Sequence, residues 1–271
     1  MTAASPAFTI GVSLKTYLSH ARTVAWATEL AEVARRHPAV RDGVVELFVA
    51  PTFPSLVPVR DVLAGTGVRL AAQDVSATGP GASTGEVSAD ELAEIGCSIA
   101  EVGHAERRAL FHEDDAVVAA KTAAALRMGL TPLICVGEDD RAPAAVAARE
   151  VQRQVDAALA AVEDSGRVVV AYEPVWAIGA ESPASSTHIA AVVAALEAHL
   201  ASLPGHADSR VIYGGSAGPG LLTELGGQVR GLFLGRRAHD VPAVEGVLDE
   251  ALALAAVAPV ATVSPVAEVA S

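Results

Sequence analysis

Short, continuous apolar runs alternate along this chain with longer stretches in which apolar residues return every three or four positions. The continuous runs fall at residues 8–12, 44–50, 68–72, 99–102, 130–136, 168–172, 210–213 and 229–234, and each reads as a parallel strand buried on both faces. The periodic stretches between them read as helices. Ser19 is placed to cap the first, over 21–36, with Pro38 as its stop. A short helix follows the turn at 51–54, and Ser88-Ala89-Asp90-Glu91 has the form of a capping box opening the next. Further helices are expected over 106–111, 115–128, 144–162, 187–201, 221–225 and 241–256. Strand and helix alternate eight times within about 250 residues, which is the arithmetic of a closed (β/α)8 barrel. One domain over 1–256 follows, with a tail at 257–271 that has no apolar face and is expected to be disordered.

Composition narrows the class. Apolar residues make up 51% and charged residues 19% of the 271, which excludes a disordered chain and supplies a large core. A formal charge of −13 leaves no basic stripe for nucleic acid or an anionic membrane surface, so any anion must be held locally. Cys97 and Cys135 sit in separate apolar runs without metal-ligand spacing and read as buried thiols of a reducing compartment. No basic region followed by an apolar stretch opens the chain, and Pro259 interrupts the apolar segment 251–263. The expectation is a soluble, cytoplasmic protein without a transmembrane segment.

In a barrel of this kind every strand delivers its C-terminal end to one mouth. Glu173 ends the sixth strand and passes into the stiff, Gly-ended loop Pro174-Val175-Trp176-Ala177-Ile178-Gly179. Alone, such a glutamate is as readily a polar strand end as a catalyst. Lys15 and His104 follow the first and fourth strands, and each alone reads first as a surface lysine and a structural histidine. Gly214-Gly215-Ser216 and Gly235 follow the seventh and eighth strands, where barrels commonly seat phosphate on backbone N–H groups. A carboxylate, an imidazole and an amine around an anchored phosphate suit proton abstraction beside a carbonyl. No metal-ligand cluster, activated Ser or Cys, or nucleotide-binding glycine loop competes with that chemistry.

Four blocks then carry a resemblance: Ala171-Tyr172-Glu173-Pro174-Val175-Trp176-Ala177-Ile178-Gly179, Gly103-His104-Ala105-Glu106-Arg107-Arg108, Thr84-Gly85-Glu86 and Tyr213-Gly214-Gly215-Ser216. They resemble, in family order, the signature blocks of the triosephosphate isomerase family over residues 8–256. The resemblance implies a TIM barrel with Glu173 as catalytic base, His104 as electrophile and Lys15 as their charged partner, supported by Glu106. It implies a lid over residues 174–182, a substrate and its phosphate held by Ser13, Gly179, Ser216, Gly235 and Arg236, and no cofactor or metal. Thr84, on the long loop 73–86, is implied to reach a partner's site in a homodimer.

The sequence also departs from the family pattern. Ser13 stands where Asn is usual, Ala105 where Ser is usual, Asp74 where Asn is usual, and Ala180-Glu181-Ser182 where the lid ends in Thr-Gly-Lys. Gly235-Arg236, followed by Arg237, replaces the usual Gly-Gly, bringing a guanidinium to the phosphate loop. The combination of Ser13, the altered hinge at Ala180-Glu181-Ser182 and Gly235-Arg236 is similar to the family branch that isomerises erythrulose phosphates. It implies a three- or four-carbon sugar phosphate as substrate, with a lean to interconversion of L-erythrulose 1-phosphate and D-erythrulose 4-phosphate over the triose phosphates. A noncatalytic phosphate-binding barrel is the reading from another class.

Overall fold

The structure, a computed structural model, describes residues 5–206 and 208–257. Its eight strands are β1 (Phe8–Ser13), β2 (Val45–Ala50), β3 (Arg69–Ala72), β4 (Ile99–Val102), β5 (Thr131–Val136), β6 (Val169–Tyr172), β7 (Arg210–Tyr213) and β8 (Gly231–Leu234). Each pairs in parallel with its sequence neighbours, and β8 pairs back onto β1 from Thr9↔Gly231 to Val12↔Leu234, so the sheet is a closed barrel. The helices are α1 (His20–Arg36), α2 (Pro38–Arg41), α3 (Leu56–Leu63), α4 (Ala89–Glu94), α5 (Ala105–Phe111), α6 (Asp115–Arg127), α7 (Ala144–Leu159), α8 (Ser186–Ser202), α9 (Leu221–Leu225) and α10 (Val241–Val257). The expected single (β/α)8 barrel is the observed fold.

Strand pleating separates two buried layers. Phe48, Ala50, Ala71, Ile99, Leu133, Cys135, Val169, Ala171, Ile212 and Phe233 fill the lumen. Alternate residues such as Ile10, Val12, Leu47, Val102, Ile134 and Val170 face outward and pack under the helices. Gly11 shows why the lumen constrains sequence: the Phe48 ring occupies the space that a Cβ there would need.

Local chemistry sets most element ends. Ser19 and Ser88 accept hydrogen bonds from the backbone N–H groups of Arg22 and Glu91, as N-caps should. Pro38 does end α1, but it also opens α2, whose first turn is capped by the His37 ring accepting from the Ala39 N–H. α7 stops at Leu159, three residues short of the expected end at 162. β8 starts at Gly231 rather than 229, because pairing begins only where the Thr9 N–H reaches the Arg230 carbonyl, 2.9 Å away. The expected disorder of the tail concerns residues that, beyond Val257, lie outside those described.

The N-terminal end of the barrel is closed by charge. Glu46 on β2 accepts from Thr9 at 3.2 Å and pairs with the guanidinium groups of Arg69 and Arg167. Burial pushes the Glu46 carboxyl up, but the two arginines outweigh it and hold it at about 2. The depressed value means that this stabilisation is complete above the ordinary carboxylate range and fades as pH falls through it toward about 2. Glu46→Gln is expected to lower stability by about 2 kcal/mol at pH 7 in urea unfolding, since two guanidinium groups lose their counter-charge. The deficit relative to wild type should shrink steadily below about pH 4.3.

Candidate active site

At the C-terminal mouth, eight of the residues singled out in the sequence line one cavity of about 630 Å³: Ser13, Lys15, Glu106, Glu173, Gly179, Ser216, Gly235 and Arg236. His104 lines an adjoining cavity of about 410 Å³, which shares Ser13, Lys15 and Glu106 with the first. Thr84 is separate, exposed on the loop after β3 and lining neither cavity.

Lys15 leaves β1 in the left-handed region, with φ of +46°. A non-glycine residue held there costs on the order of 1 kcal/mol, so neighbours must fix it. The Gln73 carboxamide does so, donating to the Lys15 carbonyl at 3.1 Å and to the Ala50 carbonyl at 2.9 Å. The Lys15 ammonium lies 2.6 Å from Glu106 Oε1. Burial opposes its charge, yet the hydrogen bond and charge of Glu106, with Glu173 and Glu101 behind, hold it above the ordinary lysine value. Lys15 is therefore a cation across the neutral pH range.

His104 is the N-cap of α5, and its Nδ1 accepts the Glu106 backbone N–H at 3.1 Å. An imidazole that accepts at Nδ1 carries its remaining proton on Nε2 and is neutral. Nε2 lies 3.5 Å from Glu173 Oε2, too far for a good hydrogen bond, and both atoms are buried with no partner among the described residues. Two facing buried groups with unused capacity are the arrangement a substrate oxygen and an acidic C–H would complete.

Glu173 is only 7% exposed, and its position depends on glycine. A Cβ on Gly214 would strike its carboxylate, and one on Gly137 would strike its carbonyl. The following segment is fixed at both ends. Trp176 Nε1 donates to Glu138 at 3.0 Å, as does the Tyr172 hydroxyl at 3.2 Å, and the Arg141 guanidinium lies 4.0 Å above the Trp176 ring. Farther on, the Tyr213 hydroxyl accepts from the Ala184 N–H at 3.0 Å, and the Ser216 hydroxyl lies 2.9 Å from the carbonyls of Ala177 and Ala180. The two arginines after β8 also meet this segment. Arg237 donates to the Glu181 carbonyl at 2.9 Å, and Arg236 Nη2 comes within 3.5 Å of where a Cβ on Gly179 would stand.

Sequence reasoning missed several residues. Glu138 carries no motif, and Arg237 stood out only as the neighbour of Arg236; the role of each follows from what it touches. Asp74 was noted for its identity but not for its partners: it is buried against Lys121 at 2.6 Å and Arg107 at 2.8 Å, with Glu113 bridging the same lysine. Glu101 had a readable signal, a carboxylate inside an otherwise apolar strand, and it faces the lumen beneath the site at 3% exposure.

An eight-stranded α/β barrel whose mouth gathers a neutral imidazole, a buried carboxylate, a paired ammonium and glycine-rich turns is built as an enzyme for a small anionic substrate. The sequence model of the family described as triosephosphate isomerase matches residues 8–251. The L-erythrulose-1-phosphate isomerase of Pectobacterium atrosepticum is 48% identical over 249 residues, covering 91% of this chain and 96% of the relative. The triosephosphate isomerase of Thiobacillus denitrificans is 44% identical over 204 residues, covering 73% and 82%, and that of Prosthecochloris aestuarii 41% over 208, covering 75% and 82%. The chain belongs to the triosephosphate isomerase family, and it is a sugar-phosphate isomerase.

Because the Gly214 Cα faces the Glu173 carboxylate, Gly214→Ala is expected to lower kcat/KM about 10²-fold by displacing that group, with little change in melting temperature. Steady-state kinetics beside thermal unfolding would separate displacement from loss of fold.

Proposed function

We propose that this enzyme interconverts L-erythrulose 1-phosphate and D-erythrulose 4-phosphate, with Glu173 as base and His104 and Lys15 stabilising the enediolate. The observation that carries the chemistry is the neutral His104 whose Nε2–H faces Glu173 beside the Lys15 ammonium. Glu173 removes the proton from the hydroxyl-bearing carbon next to the carbonyl. The electron pair moves onto the carbonyl oxygen, where the Nε2–H and the ammonium receive it. Return of the proton to the former carbonyl carbon, with the hydroxyl proton crossing between the two oxygens, leaves the carbonyl one carbon farther along.

The substrate's phosphate is assigned to Gly179, Ser216, Gly235 and Arg236. Backbone N–H groups at such turns attract a dianion without net positive charge on the protein, and the Arg236 guanidinium adds a local cation. Residues 174–182 act as a lid that excludes water from the enediolate. The four-carbon substrate is favoured by the alignment with the Pectobacterium relative, which runs along 91% of the chain. The second reading is the triose-phosphate reaction, supported by the 44% identity to the Thiobacillus enzyme and by the identical chemistry. A noncatalytic barrel does not account for two buried polar groups held facing one another beside a paired lysine.

The catalytic domain is assigned to residues 1–256, and the protein to the cytoplasm, a reading supported by free, buried Cys97 and Cys135. Among the described residues no helix is long and apolar enough to cross a membrane. A homodimer is proposed in which the exposed loop carrying Thr84 meets a partner near Tyr17, Leu110 and Phe111, large apolar residues that are 56%, 72% and 62% exposed.

Glu173→Gln is expected to lower kcat at least about 10²-fold on any substrate, the usual loss for a general base, and retention within about tenfold would remove Glu173 from that role. Assay against L-erythrulose 1-phosphate, D-erythrulose 4-phosphate and dihydroxyacetone phosphate should give the highest kcat/KM with a four-carbon substrate; a clear maximum with the triose would reverse the assignment. Light scattering should give twice the 27.4 kDa chain mass, and a fully active monomer at micromolar concentration would refute the dimer.

A further inference from the structure

Glu101 is a buried carboxyl in the barrel's interior that the proposed mechanism does not use. Its neighbours in the lumen are Ile, Leu, Val, Ala, Phe and Cys side chains, and burying a carboxyl among them is costly unless it has a task. Glu101 Oε2 lies 3.4 Å from the Ser13 hydroxyl and Oε1 lies 4.0 Å from Cys135 Sγ, both weak contacts that leave hydrogen-bonding capacity unused.

The two cavities at the mouth divide the site by chemistry. The larger holds the residues assigned to the phosphate, Gly179, Ser216, Gly235 and Arg236. The smaller holds none of these; its buried lining includes Ser13, Glu101 and His104, beside the shared Lys15 and Glu106, and its exposed rim carries Leu110 and Phe111, where the proposed partner loop would sit. A substrate anchored by phosphate in the first and reacting at Lys15, His104 and Glu173 therefore extends its far end toward Ser13 and Glu101. A four-carbon ketose phosphate differs from a triose at that end, carrying a hydroxymethyl group on the carbon that loses its proton.

Resting on the four-carbon reading above, we propose that Glu101 and Ser13 form the seat for this terminal hydroxymethyl group and thereby set substrate length. Burial, reinforced by the negative charge of Glu173, pushes the Glu101 carboxyl well above the usual carboxylate range, which favours its protonated form. A neutral carboxyl both donates and accepts, as a terminal alcohol does, and adds no charge to repel the developing enediolate. Ser13 supplies a second short hydroxyl in the same seat.

The test compares wild type with Glu101→Leu, Glu101→Gln and Ser13→Ala. It uses kcat/KM on L-erythrulose 1-phosphate and dihydroxyacetone phosphate, and inhibition by 2-phosphoglycolate, which ends before the hydroxymethyl position. Glu101→Leu should lower kcat/KM on the four-carbon substrate about tenfold or more, while triose turnover and phosphoglycolate inhibition stay within about threefold. Glu101→Gln, which keeps a neutral donor and acceptor, should retain most four-carbon activity. If Glu101→Leu does not fold, the same discrimination is read from Glu101→Met, which likewise removes donor and acceptor, while Ser13→Ala should lower four-carbon activity more than triose activity. Equal losses on both substrates and on phosphoglycolate, or no four-carbon loss, in a wild type that prefers four carbons would overturn the seat alone. A wild type that prefers the triose would overturn the four-carbon reading and the seat with it.

Discussion

Closure of eight parallel strands into one barrel dictates everything at the mouth, because parallel pairing sends every C-terminal strand end to the same side. The seam between β8 and β1 makes the point: Val12 pairs with Leu234, so Lys15 and Gly235 become neighbours although they come from opposite ends of the fold. Lumen packing supports that closure. Phe48 fills the space left by Gly11, and Glu46 with its arginines closes the opposite end, so the strands have little freedom to shift register under the site.

Within the mouth, charges are balanced locally although the chain carries −13 overall. Glu106 partners Lys15, which keeps an ammonium available beside the reacting carbons. The Glu106 backbone fixes the neighbouring imidazole as a neutral donor. Burial, with the charge of Glu173, pushes the Glu101 carboxyl upward and so favours the form that adds no second negative charge to the lumen. Two of the buried polar atoms left without partners among the described residues, His104 Nε2 and Glu173 Oε2, are ones the proposed reaction needs free.

The segment after Glu173 joins rigidity to access. Glu138 and Tyr213 tie its two ends through Trp176 and Ala184, while Ser216 and Arg237 hold it by backbone carbonyls rather than by side-chain charge. A backbone-held contact tolerates changes in side-chain identity, which gives a physical account of how Glu181 can stand where the family usually has glycine.

The strand and helix alternation was legible because buried parallel strands demand unbroken apolar runs and surface helices demand a 3.6-residue stripe, and those periods survive in the sequence alone. Caps such as Ser19 and Ser88 were legible for the same local reason. Strand ends were less so: where β8 begins depends on the Thr9 N–H of a strand far away in the chain. Glu173, His104, Lys15 and the late glycines could be picked out because they stand at predictable strand ends. What only the tertiary structure decided was how they stand toward one another: the tautomer of His104, the reliance of Glu173 on Gly214, the guanidinium of Arg236 against Gly179, and the carboxyl of Glu101 beside Ser13. Those depend on contacts between distant strands, whose distances and burial no local pattern records.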